Sequence, residues 1–239
     1  RRDKRISKSL SNMLRHCAPD EGIRIRNDGY VKVSDLVWHH WFDQESAVVD
    51  DFRALTEVRG KKRFEMMNIG PSWYIRCVQG HSIPGIRDDL IFRTLHADDH
   101  NLPEVCVHGT MHRNWRSILN NGLVAGGEDL YHPERARHRH NQEPRNHNHF
   151  MPYEPRDARI ISGRRQGSNV GVWIDLVGAM NCGIPFYMSK NKVVLSRGID
   201  GVVHFRNILK IQDLKTNRIL YSRRAVPRRH EHNRDPVRT

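Results

Sequence analysis

The stretch RFEMMNIGPSWYIRCV occupies residues 63–78. It divides into two short runs of strand character, 63–67 and 73–78, and Asn68-Ile69-Gly70-Pro71-Ser72 between them supplies a Gly-Pro break, so the reading is a β-hairpin. In the second run, alternation sets Trp73, Ile75 and Cys77 on one face and Tyr74, Arg76 and Val78 on the other. Arg76 therefore shares a face with residues of core character, and an arginine enclosed in that way calls for an anion. Upstream, Val48, Phe52 and Leu55 mark one side of a helix over 47–58, and Ser34 with Asp35 opens another through Trp41. Asn27-Asp28-Gly29 is a turn signal, followed by a short strand at 30–33. Ile6, Leu10, Met13 and Leu14 fall at i, i+4, i+7 and i+8, one face of a helix that ends in Arg15-His16. Helix, turn, helix, helix and hairpin within about 80 residues is the element order of a winged-helix unit.

Downstream the pattern changes. A polar connector covers 84–101, Val105-Cys106-Val107 reads as a buried strand, and residues 114–121 read as a helix with Trp115, Ile118 and Leu119 on one side, stopped by Gly122. Residues 126–159 are rich in arginine and contain His132, His138, His140, His147 and His149, which reads as a long loop. Strands resume at 170–176, 186–188, 193–195 and 202–205, with Gly183-Ile184-Pro185, Asn191-Lys192 and Asp200-Gly201 as turns. Short strands at that spacing predict a compact, mostly antiparallel second unit. The expected fold class is α+β in two units, 1–86 and 87–220, with an inserted His/Arg-rich loop at 128–158. Residues 221–239 form an arginine-rich tail with the composition of a disordered segment.

The chain has 239 residues, 40 Lys plus Arg against 27 Asp plus Glu, a net charge of +13 and 16 His. An acidic scaffold is excluded. A hydrophobic content of 37% can build a core, and the length fits one large or two small domains. No stretch approaches the roughly 20 apolar residues that cross a bilayer, and RRDKRISKSL lacks the apolar segment of a signal peptide. A soluble, intracellular protein is the expectation, and the start at Arg1 without Met reads as an excised fragment. Cys17, Cys77, Cys106 and Cys182 stand far apart with no CxxC pair, so they are read as buried thiols rather than disulfides or zinc ligands. A basic balance favours a polyanionic partner, because each phosphate neutralised releases a condensed counterion.

Polar clusters stand where the apolar pattern does not require them: Arg15-His16, Arg76, Gln79-Gly80-His81-Ser82, His108-Gly109-Thr110 and Arg164-Arg165. Taken singly, each reads more readily as a solvated charge or a structural ion pair. Arginines gathered about a histidine are another matter, since guanidinium forks bind phosphate bidentately and imidazole moves a proton near neutral pH. His138-x-His140 and His147-x-His149 have a spacing open to metal, but a regular site needs three or four ligands on defined elements, so no metal is expected. RNA contact by a basic loop is the preferred reading of that segment.

These motifs occur in one order: Ile6-Ser7-Lys8-Ser9-Leu10-Ser11, Leu14-Arg15-His16, Asp28-Gly29-Tyr30-Val31, Lys62-Arg63-Phe64, Ile75-Arg76-x-x-Gln79-Gly80-His81-Ser82, His108-Gly109-Thr110, Ser117-Ile118-Leu119-x-x-Gly122-Leu123 and Gly183-Ile184-Pro185-Phe186. Jointly, over about residues 5–210, they resemble the tRNA 2′-phosphotransferase family. The loop at 128–158 is longer than that family usually has, and the arginine tail is a further departure. The resemblance implies a bilobal enzyme, with an N-terminal winged-helix RNA lobe and a C-terminal ADP-ribosyltransferase-like, mostly antiparallel lobe. It implies that NAD is consumed to remove an internal 2′-phosphate from spliced tRNA, giving 2′-hydroxyl RNA, nicotinamide and ADP-ribose 1″,2″-cyclic phosphate. The first step joins the phosphate to the ribose and needs little acid or base help. The second places charge on phosphorus and calls for arginine clamps and a proton carrier.

By the same resemblance the catalytic set is Arg15, His16, Arg76 and Arg165, with Arg164 as the other choice for the fourth member. His108, Gly109, Thr110, Ser117, Ile118, Gly122, Leu123 and His149 would bind NAD, and Gln79, Gly80, His81 and Ser82 the RNA. The absence of GxGxxG fits a non-Rossmann NAD site. A monomer in cytoplasm or nucleus, with no membrane partner, completes the expectation. Two other readings stay open: ADP-ribosylation of nucleic-acid phosphate ends, and a non-catalytic RNA binder.

Overall fold

The computed structural model describes residues 2–58, 62–126, 146–160 and 167–223. The tail from residue 224, most of the His-rich insertion and Arg164-Arg165 lie outside these residues. Helix α1 (Arg2–Asn12) turns Ile6 and Leu10 inward together with Met13 and Leu14, the set read from the sequence. The helix does not stop at His16. Its last turn widens into a π-helix, Met13–Cys17, closed by the Ala18 N–H on the Met13 carbonyl at 2.9 Å. Gly29, at φ +80°, turns the chain into β1 (Val31–Lys32), which runs directly into α2 (Val33–Val37). The helix expected through Trp41 breaks at His39. That residue is extended, and its ring caps a 3-10 helix (His40–Glu45) by accepting from the Trp41 N–H at 3.3 Å. Asp51 of α3 (Val49–Thr56) accepts from the Val48 N–H at 2.8 Å and from Arg2 of α1 at 2.5 and 2.8 Å, which fixes α3 against α1.

The hairpin forms, but Asn68, Ile69 and Ser72, read as turn, belong to its strands. Strands β2 (Phe64–Ile69) and β3 (Ser72–Cys77) pair from Phe64 opposite Cys77 to Ile69 opposite Ser72 around Gly70-Pro71, and β1 adds to the other edge of β3. Then follow α4 (Asp88–Ile91), β4 (Arg93–Leu95), β5 (Val107–Thr110), α5 (Trp115–Asn121), β6 (Leu123–Val124), β7 (Asn148–Phe150) and β8 (Val170–Ile174). The chain continues through α6 (Leu176–Asn181), β9 (Phe186–Met188), β10 (Val194–Ser196), β11 (Val202–Val203), β12 (Ile208–Asp213) and β13 (Ile219–Ser222). Two four-stranded sheets result, in the orders β4-β9-β10-β7 and β13-β12-β8-β5, with a small β11-β6 pair. Every strand pair among the described residues is antiparallel, so the protein is α+β.

Strand β8 is buried along its whole length, which is why Val170-Gly171-Val172-Trp173-Ile174 reads as one apolar run rather than an alternation. Gly122 ends α5 at φ +81°, and a Cβ there would lie 2.6 Å from the Val203 carbonyl, so only glycine allows β6 to meet β11. One apolar core gathers α1, the π-helix, α2 and the β1–β3 sheet, and takes in Ile91, Phe92, Val193 and Leu195 from downstream. A second fills the space around β8, β9 and β12, with Phe150 and Phe186 fully buried. Among the described residues no helix is long and apolar enough to cross a membrane.

Candidate active site

The π-helix presents Arg15 and His16 together, because widening one turn places both beyond the apolar face that Met13 and Leu14 commit to the core. Opposite them, the chain leaves β3 through Gln79-Gly80-His81-Ser82. The Ser82 N–H donates to the Arg15 carbonyl at 2.9 Å, and the Ser82 hydroxyl lies 2.8 Å from His16 Nδ1. Gly80 sits at φ +88°, and a Cβ on it would approach Arg15 Nε to 3.3 Å. Glycine therefore meets both the backbone and the packing demand at this point. Arg15 Nε is buried and makes no hydrogen bond, and the side-chain oxygen of Gln79 is buried in the same condition. A buried cationic donor without an acceptor is uncommon enough to need a reason.

His81 faces inward. Its Nδ1 is 3.2 Å from the Leu14 carbonyl and its Nε2 2.9 Å from the Cys77 carbonyl, so one ring ties the π-helix to the end of β3. Burial pushes its pKa down to about 4, with Arg15 and Arg76 adding repulsion and the two carbonyls pulling the other way. The neutral ring can donate to only one of those carbonyls at a time.

Arg76 has the anion that its position in β3 called for. Its Nε donates to Glu65 Oε1 at 2.5 Å, Nη2 pairs with the same oxygen, and Nη1 donates to the carbonyls of Asp28 at 2.8 Å and Leu90 at 3.1 Å. The guanidinium lies 4.5 Å from the Tyr30 ring centre, and the Tyr30 hydroxyl donates to Glu65 at 3.0 Å. Lys190, in the turn after β9, pairs with the other Glu65 oxygen. Burial alone would raise the Glu65 pKa, but Lys190 and Arg76 together hold it below the usual carboxylate range. Tyr30 is pushed up to about 12 by burial and by the Glu65 charge. Cross-strand Glu65 thus engages Arg76, whereas Arg15 keeps an unsatisfied donor.

A second group forms where β5 meets β7. His108 Nδ1 lies 3.0 Å from the His149 carbonyl, and His149 Nδ1 lies 3.1 Å from the His147 carbonyl. A carbonyl can only accept, so both rings carry hydrogen on Nδ1 and, when neutral, keep an acceptor lone pair at Nε2. Thr110 is buried and its hydroxyl accepts from Asn114 at 3.1 Å, while Gly109 packs against Ser168. Ser117 accepts from Asn121 at 3.2 Å on α5. Ile118 and Leu123 pack into the second core. The structure therefore joins Arg15, His16 and the 79–82 loop in one group and His108, Thr110 and His149 in another. Arg76 lies within the electrostatic range of His81, and Arg165 and Arg164 lie outside the described residues.

The sequence reading missed Glu65 and Lys190. It also missed Asp88, and it weighed His147 only for its spacing to His149, not for the Asp88 carboxylate 2.9 Å away. The signal for Glu65 was its place directly across the hairpin from Arg76; the others had no local signal, since their partners are distant in the chain. Among the described residues, Glu21, His39 and His40 bring possible ligand atoms within 4.8 Å of one another. His39 Nδ1 accepts from Trp41, which leaves the proton on Nε2, aimed at Glu21 at 3.3 Å. A protonated ring nitrogen has no lone pair to offer a metal.

A family model described as RNA 2′-phosphotransferase, Tpt1/KptA family, matches residues 1–198. The chain is 36% identical over 199 residues to tRNA 2′-phosphotransferase 1 of Danio rerio, covering 82% of this chain and 79% of that protein. It is 34% identical over 218 residues to tRNA 2′-phosphotransferase 1 of Homo sapiens, with 88% and 77% covered. The tRNA 2′-phosphotransferase of Saccharomyces cerevisiae is 28% identical over 236 residues, 95% of each chain.

Proposed function

Because this chain belongs to the RNA 2′-phosphotransferase, Tpt1/KptA family, we propose that it removes the internal 2′-phosphate of spliced tRNA with NAD as co-substrate. The observation that carries the reading is the buried Arg15 Nε without a hydrogen bond, set beside the His16–Ser82 pair. A cationic donor lacking an acceptor calls for an anion, and a phosphate oxygen supplies one. NAD, when bound, supplies the ribose carbon that accepts the phosphate and a neutral leaving group. Arg15 holds the phosphate in this reading, and His16, steadied at Nδ1 by Ser82, moves a proton. Arg76 adds positive potential at His81 and fixes the Asp28 and Leu90 carbonyls. Arg165 is assigned from the family resemblance alone.

His108 and His149 are given to the cofactor by the family resemblance, and imidazole is a group that hydrogen-bonds ribose hydroxyls. Gly109, Thr110, Ser117, Ile118, Gly122 and Leu123 make up the rest of that site, and residues 79–82 receive RNA, with His81 locking the loop rather than touching it. We read the fold as a winged-helix lobe over 1–86 and an ADP-ribosyltransferase-like lobe over 87–220. The three-stranded sheet supports the former and the two four-stranded antiparallel sheets the latter, while the first core crosses the boundary through Ile91, Phe92, Val193 and Leu195 and β13 runs on to Ser222. A monomer working inside the cell fits this role. The test is incubation with NAD and a 2′-phosphorylated oligoribonucleotide, with products resolved by mass. Free 2′-hydroxyl RNA is the expected product. ADP-ribosylated RNA as the end product would favour phosphate-end modification, and unchanged RNA would favour a non-catalytic binder.

A further inference from the structure

Buried Asp88 and His147 form, with partly exposed Arg197, a polar knot that the assignments above do not use. Asp88 is 8% exposed and His147 5%. Asp88 Oδ2 lies 2.9 Å from His147 Nε2 and accepts from Arg197 Nε at 2.6 Å, while Oδ1 accepts from Arg197 Nη2 at 2.9 Å. Phe92 sets its edge against the His147 ring, with centres 5.7 Å apart. The bonds then continue outward. The His147 carbonyl accepts from His149 Nδ1, and the His149 carbonyl accepts from His108 Nδ1.

We propose that Asp88 and His147 are positioning residues for the cofactor site: the carboxylate fixes the His147 ring, and with it the two carbonyls that set the tautomer and tilt of His149 and His108. This rests on the NAD reading of those two histidines. The need for an anchor is physical, since β7 has only three residues and sits at the edge of its sheet, paired with β10 alone within it. Ser196 is opposite Asn148 in that pairing, so Arg197 follows the last rung and the knot closes the end of the ladder at which the histidines enter. A carboxylate held by a guanidinium fork and an imidazole has little freedom to swing, and a binding site keeps its geometry within about 0.5 Å only where such supporting hydrogen bonds lock it.

The test uses the full chain with Asp88→Asn and His147→Phe. NAD and RNA affinities are measured separately by calorimetry, and the ring nitrogens of His108 and His149 are followed by nitrogen-15 NMR. The expected result is NAD binding weakened by about tenfold, with RNA binding changed by less than about twofold, and loss of the Nδ1–H form at His149 and His108. Unchanged NAD affinity and unchanged ring signals in folded Asp88→Asn overturn the proposal, as does an equal loss of both affinities. Should neither variant fold, Arg197→Lys loosens the carboxylate while keeping its bond to His147. Weaker NAD binding there supports the proposal and unchanged binding overturns it. If the wild-type chain binds no NAD, the functional reading fails instead, and the positioning role is then decided by the ring signals alone.

Discussion

Arg15 and Arg76 hold their charges in opposite ways, and this separates their effects on stability from their effects on turnover. Arg76 is tied to Glu65 and two carbonyls, so Arg76→Ala leaves a half-buried carboxylate with Lys190 and Tyr30 as partners. Losing one partner of such a pair costs about 3 kcal/mol. Arg15 Nε makes no hydrogen bond, although the side chain also meets the buried Cys77 thiol, so Arg15→Ala should cost less than Arg76→Ala, about 1 kcal/mol. Both should abolish phosphate removal. Urea unfolding of the two variants checks the contrast, and equal destabilisation would show that Arg15 is structural too. His81 gives a pH signature. Its ring stays neutral in the fold until pH falls near 4, whereas an unfolded histidine takes up its proton near 6.5. The stabilisation is therefore full above about pH 6.5 and lost on acidification, about 2 kcal/mol of it by pH 5. In His81→Gln that part of the pH dependence should vanish, and parallel curves for variant and wild type would refute the assignment. At this scale much of the site was legible, because Arg15, His16 and residues 79–82 break an apolar pattern. Glu65 was not, since a carboxylate on a strand is ordinary until the register shows Arg76 opposite.

Elements were legible where one face of a periodic segment meets the core. Ile6, Leu10, Met13 and Leu14 named α1 correctly because burial follows helical spacing, but widening into a π-helix leaves no periodic trace over so few residues. The helix placed over 34–41 breaks because the His39 ring caps the following turn, a choice between two local hydrogen bonds that apolar spacing does not register. Strand β7 was hidden in a polar, His-rich stretch. Its pairing comes from β10, well over forty residues away, and not from its own composition. The loop after β3 offers a prediction at this scale. Gly80→Ala imposes a left-handed backbone on alanine and crowds Arg15 Nε, so stability should fall by about 1–2 kcal/mol. The approach of Arg15 to RNA should suffer as well. A raised KM for RNA with the NAD KM unchanged is the expected pattern. A fall in kcat alone, with both KM values preserved, would mean that the loop does not place Arg15.

At the scale of the whole molecule, a net charge of +13 is spread over a chain whose partner in this reading is a polyanion. Much of the structured charge is already paired, as with Arg2–Asp51, Arg26–Asp28, Arg93–Asp99 and Arg159–Asp157. Exposed pairs of this kind contribute little to stability and leave little field for steering. The tail is different in composition: beyond residue 223 come Arg224, Arg228, Arg229, Arg234 and Arg238 against Glu231 and Asp235, five positive less two negative, a net of +3 before any histidine is protonated. Cutting after Arg223 keeps its ion pair with Asp175 at 2.7 Å, and so leaves β13 and the N-cap of α6 intact. Each lost phosphate contact on a single strand flattens the slope of log affinity against log salt by about 0.7, so removing up to three should flatten it by up to about 2. The truncated protein should show a higher KM for RNA at low salt, converging on wild type as salt rises. Turnover at saturating RNA should be unchanged, because counterion release acts on encounter and holding rather than on the reacting phosphate. Reduced turnover at saturation, or a salt slope equal to that of the full chain, would place the tail in the chemistry or outside RNA contact altogether.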